Sequence, residues 1–296
     1  MRASETAASS RRTLLVGCGK LGTRLGLRLV AAGGEVLALR RDTTELPDAF
    51  ARLSADLSAP VPRMLIPAVD DVVITLPPGD HDGPVPAYVR SLRHLADALP
   101  VVPRRVVLVS STRVLEGRAG PMPLTEADEP APASARAAAL LDGERLAIDR
   151  LDALVVRPAG IYGPGRDMLV RKVRDGSPVQ YARRTNRIHE TDLVRSLEAM
   201  LGEPEPPRLL HAVDARPAPL GEVVSWIAEA LGVPPPPRIE PAAPSGTVLR
   251  GDRLIALLGR LRYPSFEDGY RALLEQAIVA GAARGGPPLV ARVAPT

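Results

Sequence analysis

The chain alternates short, almost wholly apolar runs with longer stretches in which apolar residues recur every three to four positions. The runs Thr13–Val16, Glu35–Leu39, Asp71–Leu76, Arg105–Ser110 and Ala153–Arg157 have the length and β-branched content of strands buried on both faces. Helical periodicity runs over Lys20–Ala32, Ala87–Ala98 and Ser134–Leu151 between them. This order predicts an α/β class, a Rossmann-type doubly wound parallel sheet whose ligand sits at the carboxyl ends of the strands. Beyond residue 158 the alternation gives way to Gly/Pro-punctuated segments with helices over Glu190–Leu201, Leu220–Leu231 and Phe266–Val279. The expected organisation is a disordered tail over 1–11, a dinucleotide-binding domain over 12–158, a small C-terminal substrate lobe over 159–282 and a flexible tail over 283–296. The proline runs Pro204-Glu205-Pro206-Pro207 and Pro234–Pro237 read as connectors between packed elements.

The first strand leads directly into Gly17-Cys18-Gly19-Lys20-Leu21-Gly22 and the helix that follows. In that context Gly17 permits a tight turn, Gly19 lets backbone N–H groups approach a pyrophosphate, and Gly22 lets the helix lie close to the strand. Lys20 and Leu21 belong to the same loop, and the helix N-terminus faces the phosphates. The second strand ends at Arg40-Arg41, where an NAD-binding unit carries an acid for the ribose 2′-OH. Arginine there favours the 2′-phosphate of NADP, although Asp42 keeps NAD open. As an alternative, Arg40 and Arg41 are solvated loop residues of an arginine-rich chain.

Composition narrows the rest. A chain of 296 residues with 45% hydrophobic content can bury one large core, or one core and a smaller lobe. No apolar run reaches the roughly 20 residues of a membrane span, and the first dozen residues lack the apolar stretch of a secretion signal, so the expected location is cytoplasmic. The lone cysteine, Cys18, forms no internal disulfide, and no Cys/His cluster offers metal-ligand spacing. The net charge of +4 is spread along the chain, almost all of it arginine, with two Phe and one Trp, which argues against a nucleic-acid partner.

The glycine loop, the strand Val106–Val109 running into Ser110-Ser111-Thr112, the stretch Arg157-Pro158-Ala159-Gly160-Ile161-Tyr162-Gly163-Pro164-Gly165-Arg166 and Asn186-Arg187-Ile188-His189-Glu190-Thr191-Asp192 together resemble the extended short-chain dehydrogenase/reductases. That family includes NAD(P)-dependent epimerases and dehydratases of nucleotide sugars. The resemblance covers about residues 12 to 275. Active members place a Ser or Thr after the fifth strand and a Tyr-x-x-x-Lys pair on the next helix, which moves a proton at the substrate oxygen. Thr112 fits the first position, but Arg136 and Leu140 stand where tyrosine and lysine belong. Tyr88, Tyr162, Tyr181, Tyr263 and Tyr270 are followed four residues later by Leu92, Arg166, Thr185, Glu267 and Leu274, so the pair is absent from the chain. The combination looks like the atypical, YeeZ-like branch, although Val114-Leu115-Glu116 replaces the usual Val-Tyr-Gly.

The resemblance implies roles for several residues. Thr112, Tyr162 and His189 are the candidate catalytic side chains, with His189 the leading acid/base because neutral imidazole suits proton transfer. The competing role for His189 is a helix-start residue bonded to Asp192 or to backbone. For Thr112 it is turn satisfaction, and for Tyr162 packing. Asp56 resembles the residue that contacts adenine, or caps a turn. Arg136 and Arg187 are the candidate substrate-binding cations; Arg136 could hold a carboxylate or phosphate, or lie on a solvated face. His81, His94 and His211 have no expected chemistry, and Trp226 is core.

The expected activity is an NADP-preferring oxidoreductase acting on a small molecule that needs little acid assistance, such as an iminium or activated alkene, bound between the sheet and the small lobe. The alternatives are a non-catalytic NAD(P)-binding redox sensor or scaffold and, less favoured, a nucleotide-sugar epimerase or dehydratase. The resemblance further implies a homodimer through Ala87–Ala98 and Ser134–Leu151, segments that could equally pack within one chain.

Overall fold

Residues 10–79, 85–240 and 245–283 are described by the computed structural model. The expected N-terminal tail up to residue 9, His81, and the expected C-terminal tail beyond Ala283 lie outside the described residues.

The buried apolar runs assemble a seven-stranded sheet. Its strands are β1 (Arg12–Val16), β2 (Glu35–Arg40), β3 (Ala51–Ser54), β4 (Asp71–Ile74), β5 (Arg105–Val109), β6 (Leu154–Pro158) and β7 (Leu209–Ala212), in the order β7-β6-β5-β4-β1-β2-β3. Every pairing from β6 to β3 is parallel, with Val16 opposite both Leu39 and Ile74. Leu14, Leu15 and Val16 are buried, as are Val72, Val73 and Ile74, which explains why these strands read as unbroken apolar runs. The chain leaves β1 toward β2 and β3, then returns to add β4 and β5 on the opposite side. The order therefore reverses between β1 and β4, which is where a doubly wound sheet opens a crevice.

Helices α1 (Lys20–Ala31), α2 (Ala87–Ala98) and α3 (Ala135–Leu151) connect strands of this sheet. In α1 the face carrying Leu21, Gly22, Leu25 and Gly26 is buried and Leu27 is exposed, the amphipathic pattern of a helix lying on a sheet. Ser134 caps α3, its hydroxyl accepting from the N–H of Ala137 at 3.2 Å. Asp152 ends that helix in the left-handed region, φ 50°. Helices α2 and α3 pack on each other where Gly143 lets the ring of Tyr88 lie against α3.

The chain forms two compact units. The first comprises residues 10–79, 85–110, 134–156 and 197–208; the second, residues 111–133, 157–196, 209–240 and 245–283. The division is thus interleaved, where the hydrophobic pattern suggested a single boundary near residue 158. The physical reason for one excursion is a parallel pairing of Pro123–Leu124 with Val248–Leu249, which ties residues 111–133 to the C-terminal part of the chain.

The second unit contains α4 (Met168–Arg174), the start of α5 (Glu190–Gly202), α6 (Leu220–Leu231), α7 (Asp252–Leu258) and α8 (Phe266–Ala283). Its core gathers Tyr162, Val170, Val173, Val223, Val224, Ile227, Phe266 and Tyr270, with Trp226 half-buried against it. Two further short pairings build this unit. Gly160–Tyr162 runs parallel to Arg187–His189, and Arg184–Thr185 runs antiparallel to Ala218–Pro219. The two C-terminal sequence motifs therefore lie side by side, with Tyr162 opposite His189. Among the described residues no helix is long and apolar enough to cross a membrane.

Candidate functional site

The first unit holds a cavity of about 430 Å³ at the reversal point of the sheet. It is bounded by the turn after β1 (Gly17, Cys18, Gly19), the end of β2 (Leu39 to Asp42), the loop after β3 (Ala55 to Ser58), and Leu76, Pro77 and Gly79 beyond β4. Gly17 has φ +76°, and a Cβ there would lie 3.0 Å from the Leu76 side chain, so both conformation and space call for glycine. At Gly19 a Cβ would meet only the Gly17 carbonyl oxygen, at 3.8 Å. That side is open for a ligand to approach the backbone. Gly19 gives α1 no side-chain cap, and the first turn carries no acidic residue, which leaves its N–H groups and dipole to an anion.

Arg40 and Arg41 both line this cavity, and Arg40 donates from Nη1 to the Cys18 carbonyl at 3.4 Å. The two acids beside them are committed locally. Asp42 Oδ1 accepts from the N–H and hydroxyl of Thr44 at 2.9 and 2.7 Å, and Asp56 Oδ1 accepts from the N–H of Ser58 at 2.9 Å. These bonds hold both carboxyls below their ordinary range. Asp56 therefore both lines the cavity and caps a turn. Of the other loop residues, Lys20, Leu21 and Gly22 do not line it. Leu21 is buried, and a Cβ at Gly22 would stand 3.3 Å from Cys18 Sγ. The residues present thus fit a dinucleotide: a glycine turn at an uncapped helix start and two arginines at the end of β2.

The sequence reading missed Tyr88 and Ser91, which line the same cavity from α2. Burial pushes the Tyr88 phenol far up, reinforced by Glu144, so it stays neutral. No sequence signal marks it beyond an aromatic residue near a helix start.

The second unit holds a larger cavity, about 680 Å³. Thr112 reaches it from the turn after β5, with its hydroxyl donating to the Pro158 carbonyl at 3.3 Å. Tyr162 lines it as well, its ring stacked on Tyr270 at 4.6 Å between centroids and its hydroxyl donating to the Ser265 carbonyl at 3.4 Å. Burial raises the phenol well above its ordinary range, which makes Tyr162 a weak acid. Arg187 completes the set. It is 5% exposed, donates from Nη2 to Thr185 Oγ1, and places its guanidinium 5.3 Å from the centre of the Phe266 ring.

Two of the expected site residues lie elsewhere. His189 does not line the cavity: it is buried, with its ring 4.0 Å from that of Tyr263 and edge-on to Tyr162 at 5.2 Å. Its Nδ1 accepts from the Thr191 N–H at 3.2 Å, the backbone role weighed against catalysis. The Asp192 carboxylate, for its part, accepts the N–H groups of Arg262 and Tyr263, each at 2.8 Å. Arg136 is exposed on the first turn of α3 and lines neither cavity, because the capped start of that helix faces solvent there.

Further cations that the sequence reading did not single out surround the second cavity: Arg113, Arg166, Lys172, Arg183 and Arg184. Against them stands one lining acid, Glu116, paired with Arg113 at 3.2 Å. Just beyond the apolar strand β7 lies Asp214, 2% exposed, whose carboxyl is pushed up to about 7 by burial, an effect that Arg187 only partly offsets.

No family model matches the chain. A curated relative from a Streptomyces species, 3-diazoavenalumate denitrifying reductase, is 29% identical over 310 residues, covering 87% of this chain and 98% of its own. Among solved structures, a candidate NAD-dependent epimerase/dehydratase from Methylobacillus flagellatus superimposes with a TM-score of 0.78 at 28% identity, over 91% of this chain and 99% of the other. MoeE5, solved with UDP-glucuronic acid and NAD, gives a TM-score of 0.71 at 24% identity, over 91% and 99%.

Proposed function

We propose that this chain, whose fold is that of the NAD-dependent epimerase/dehydratase proteins, is an oxidoreductase of the atypical extended short-chain dehydrogenase/reductase type that prefers NADP(H) and reduces a small molecule. The observation that carries the reading is the first-unit cavity, where the glycine turn and Arg40-Arg41 share one wall system while Asp42 and Asp56 are tied into their own turns. Gly17, Gly19 and the start of α1 would hold the pyrophosphate; Arg40 and Arg41 would hold a 2′-phosphate; Asp56 would sit by the adenine side. Bound there, the reduced nicotinamide would supply hydride.

The chain's own contribution is then binding and orientation. Thr112 offers a hydroxyl to a polar group of the substrate, and Tyr162 a neutral wall with a weakly acidic phenol. Neither replaces the strong proton transfer of a tyrosine–lysine pair, so the acceptor that fits takes up hydride without needing a proton from the protein. The Streptomyces relative is named as a denitrifying reductase of a 3-diazo compound. When a carbon bearing a cationic diazonium group is reduced by hydride, a C–H bond forms, the C–N bond breaks and its electron pair leaves with dinitrogen, consuming no proton. An electron-poor acceptor of this kind, or an iminium, suits the residues present.

The missing pair equally fits a cofactor-binding redox sensor; the substrate-sized cavity in the second unit favours turnover. The test is titration with NADPH and NADH followed by an acceptor screen that monitors NADPH absorbance. Binding with oxidation of NADPH by a diazonium or iminium acceptor supports the reading, and binding without oxidation by any acceptor favours the sensor.

A further inference from the structure

The second-unit cavity carries an imbalance that the reading above leaves unused. Arg187 is buried, one of its terminal nitrogens is engaged by Thr185, and the other, Nη1, has no hydrogen-bond partner. A buried guanidinium nitrogen without an acceptor is costly, and its natural complement is an anionic oxygen. Beside it, Asp214 donates its backbone N–H to the Arg187 carbonyl at 2.7 Å and accepts the Arg216 N–H on Oδ1 at 3.2 Å, but Oδ2 has no partner.

We infer that this cavity is a carboxylate site, in which Arg187 Nη1 receives the carboxylate of a small organic acid and Asp214 is a positioning residue whose charge competes with that carboxylate for the guanidinium. Taking the ligand to be the substrate rests on the proposed function; the site itself does not.

A carboxylate fits better than a phosphate. Among the described residues Arg187 is the one lining cation that is fully buried, matched by one negative charge; Arg166 is half-buried and paired with Glu190 at 3.7 Å, Arg184 is half-buried, and Arg113, Lys172 and Arg183 stand exposed, where solvent screens them. Ile161, Tyr162, Leu169, Val179, Leu220 and Tyr270 give the wall an apolar portion beside its polar side chains, which suits an organic body. The other charged or titratable groups facing Asp214 are Arg216, Glu267, and the phenols of Tyr162 and Tyr270. Arg216 is paired with both Glu267 and Glu222, and the phenols stay neutral, so Asp214 is the group whose ionisation changes the charge beside Arg187 near neutral pH.

The test is calorimetric titration of the full chain with benzoate, its neutral analogue benzamide, and inorganic phosphate, with NADPH affinity measured on the same samples. Benzoate should bind, benzamide should not, and phosphate should bind more weakly than benzoate. Arg187→Gln should weaken benzoate at least tenfold, and Arg187→Lys should weaken it less. Asp214→Asn should tighten benzoate severalfold at pH 8 and leave it unchanged at pH 5.5, a gain that a misfolded variant would not produce. Equal binding of benzoate and benzamide, insensitivity to Arg187→Gln, weakening by Asp214→Asn, or tighter binding of phosphate would overturn the inference. Failure to bind NADPH counts against the cofactor reading alone and leaves the benzoate comparison standing.

Discussion

Asp214 donates its N–H to the carbonyl of Arg187 at 2.7 Å, so a buried acid shares one backbone connection with a buried cation that lines the second unit's cavity. Burial of the acid, which Arg187 only partly offsets, makes the stability of the protein pH-dependent in a defined sense. The Asp214 carboxyl, raised from 3.8 to about 7, is more easily protonated folded than unfolded. Its contribution is fully present below about pH 4 and is lost as pH rises through about 7.

His211 works in the opposite direction. Burial, with Arg157 and Arg253 nearby, lowers its imidazole to about 4, so its contribution is present above about 6.5 and is lost as pH falls toward 4. The wild-type profile between these limits is therefore a difference of two opposed slopes. Urea unfolding at pH 5.5 and pH 8 should show Asp214→Asn gaining stability relative to wild type at the higher pH. Between those two pH values the change is bounded by about 2 kcal/mol, at roughly 1.36 kcal/mol per pH unit from 5.5 to about 7. An identical difference at both pH values would contradict this assignment.

Asp192 organises the backbone around His189. Its buried carboxylate accepts the N–H groups of Arg262 and Tyr263 and pairs with Arg195 at 2.6 Å. Asp192→Ala removes the acceptor of two part-buried N–H groups and the partner of Arg195 and should cost about 1–3 kcal/mol in urea unfolding, with Asp192→Asn costing less because it keeps an acceptor.

The two glycines of the β1–α1 turn should separate folding from binding. Gly17→Ala forces a side chain into φ +76° against Leu76 and should lower stability by roughly 1–2 kcal/mol. Gly19→Ala meets nothing closer than 3.8 Å, so stability should hold within about 0.5 kcal/mol while dinucleotide affinity falls at least tenfold. Thermal unfolding and NADPH titration on the two variants check both halves.

Strands buried on both faces were legible because burial writes itself as a continuous apolar run, as at Leu14–Val16 and Val72–Ile74. Edge strand β3 was not in the hydrophobic pattern: Ala51, Arg52 and Ser54 are exposed, so nothing repeats there. The glycine turn and Arg40-Arg41 were legible as a site because one strand-turn-helix and the end of the neighbouring strand suffice to define it. The fate of His189 was not. It depends on Tyr263, which reaches the ring through a loop that Asp192 holds from far along the chain. Asp214, bonded to the backbone of Arg187, and the other cations lining that cavity escaped notice for the same reason, since separate segments converge only after folding.

The central claim is that the first-unit cavity is an NADP site read by Arg40. Fluorescence titration of wild type and Arg40→Ala with NADPH and NADH tests it most directly. The account predicts tighter binding of NADPH than of NADH, with the substitution weakening NADPH about tenfold or more and leaving NADH nearly unchanged. Equal affinities for the two nucleotides, or an equal loss of both in the variant, would contradict it.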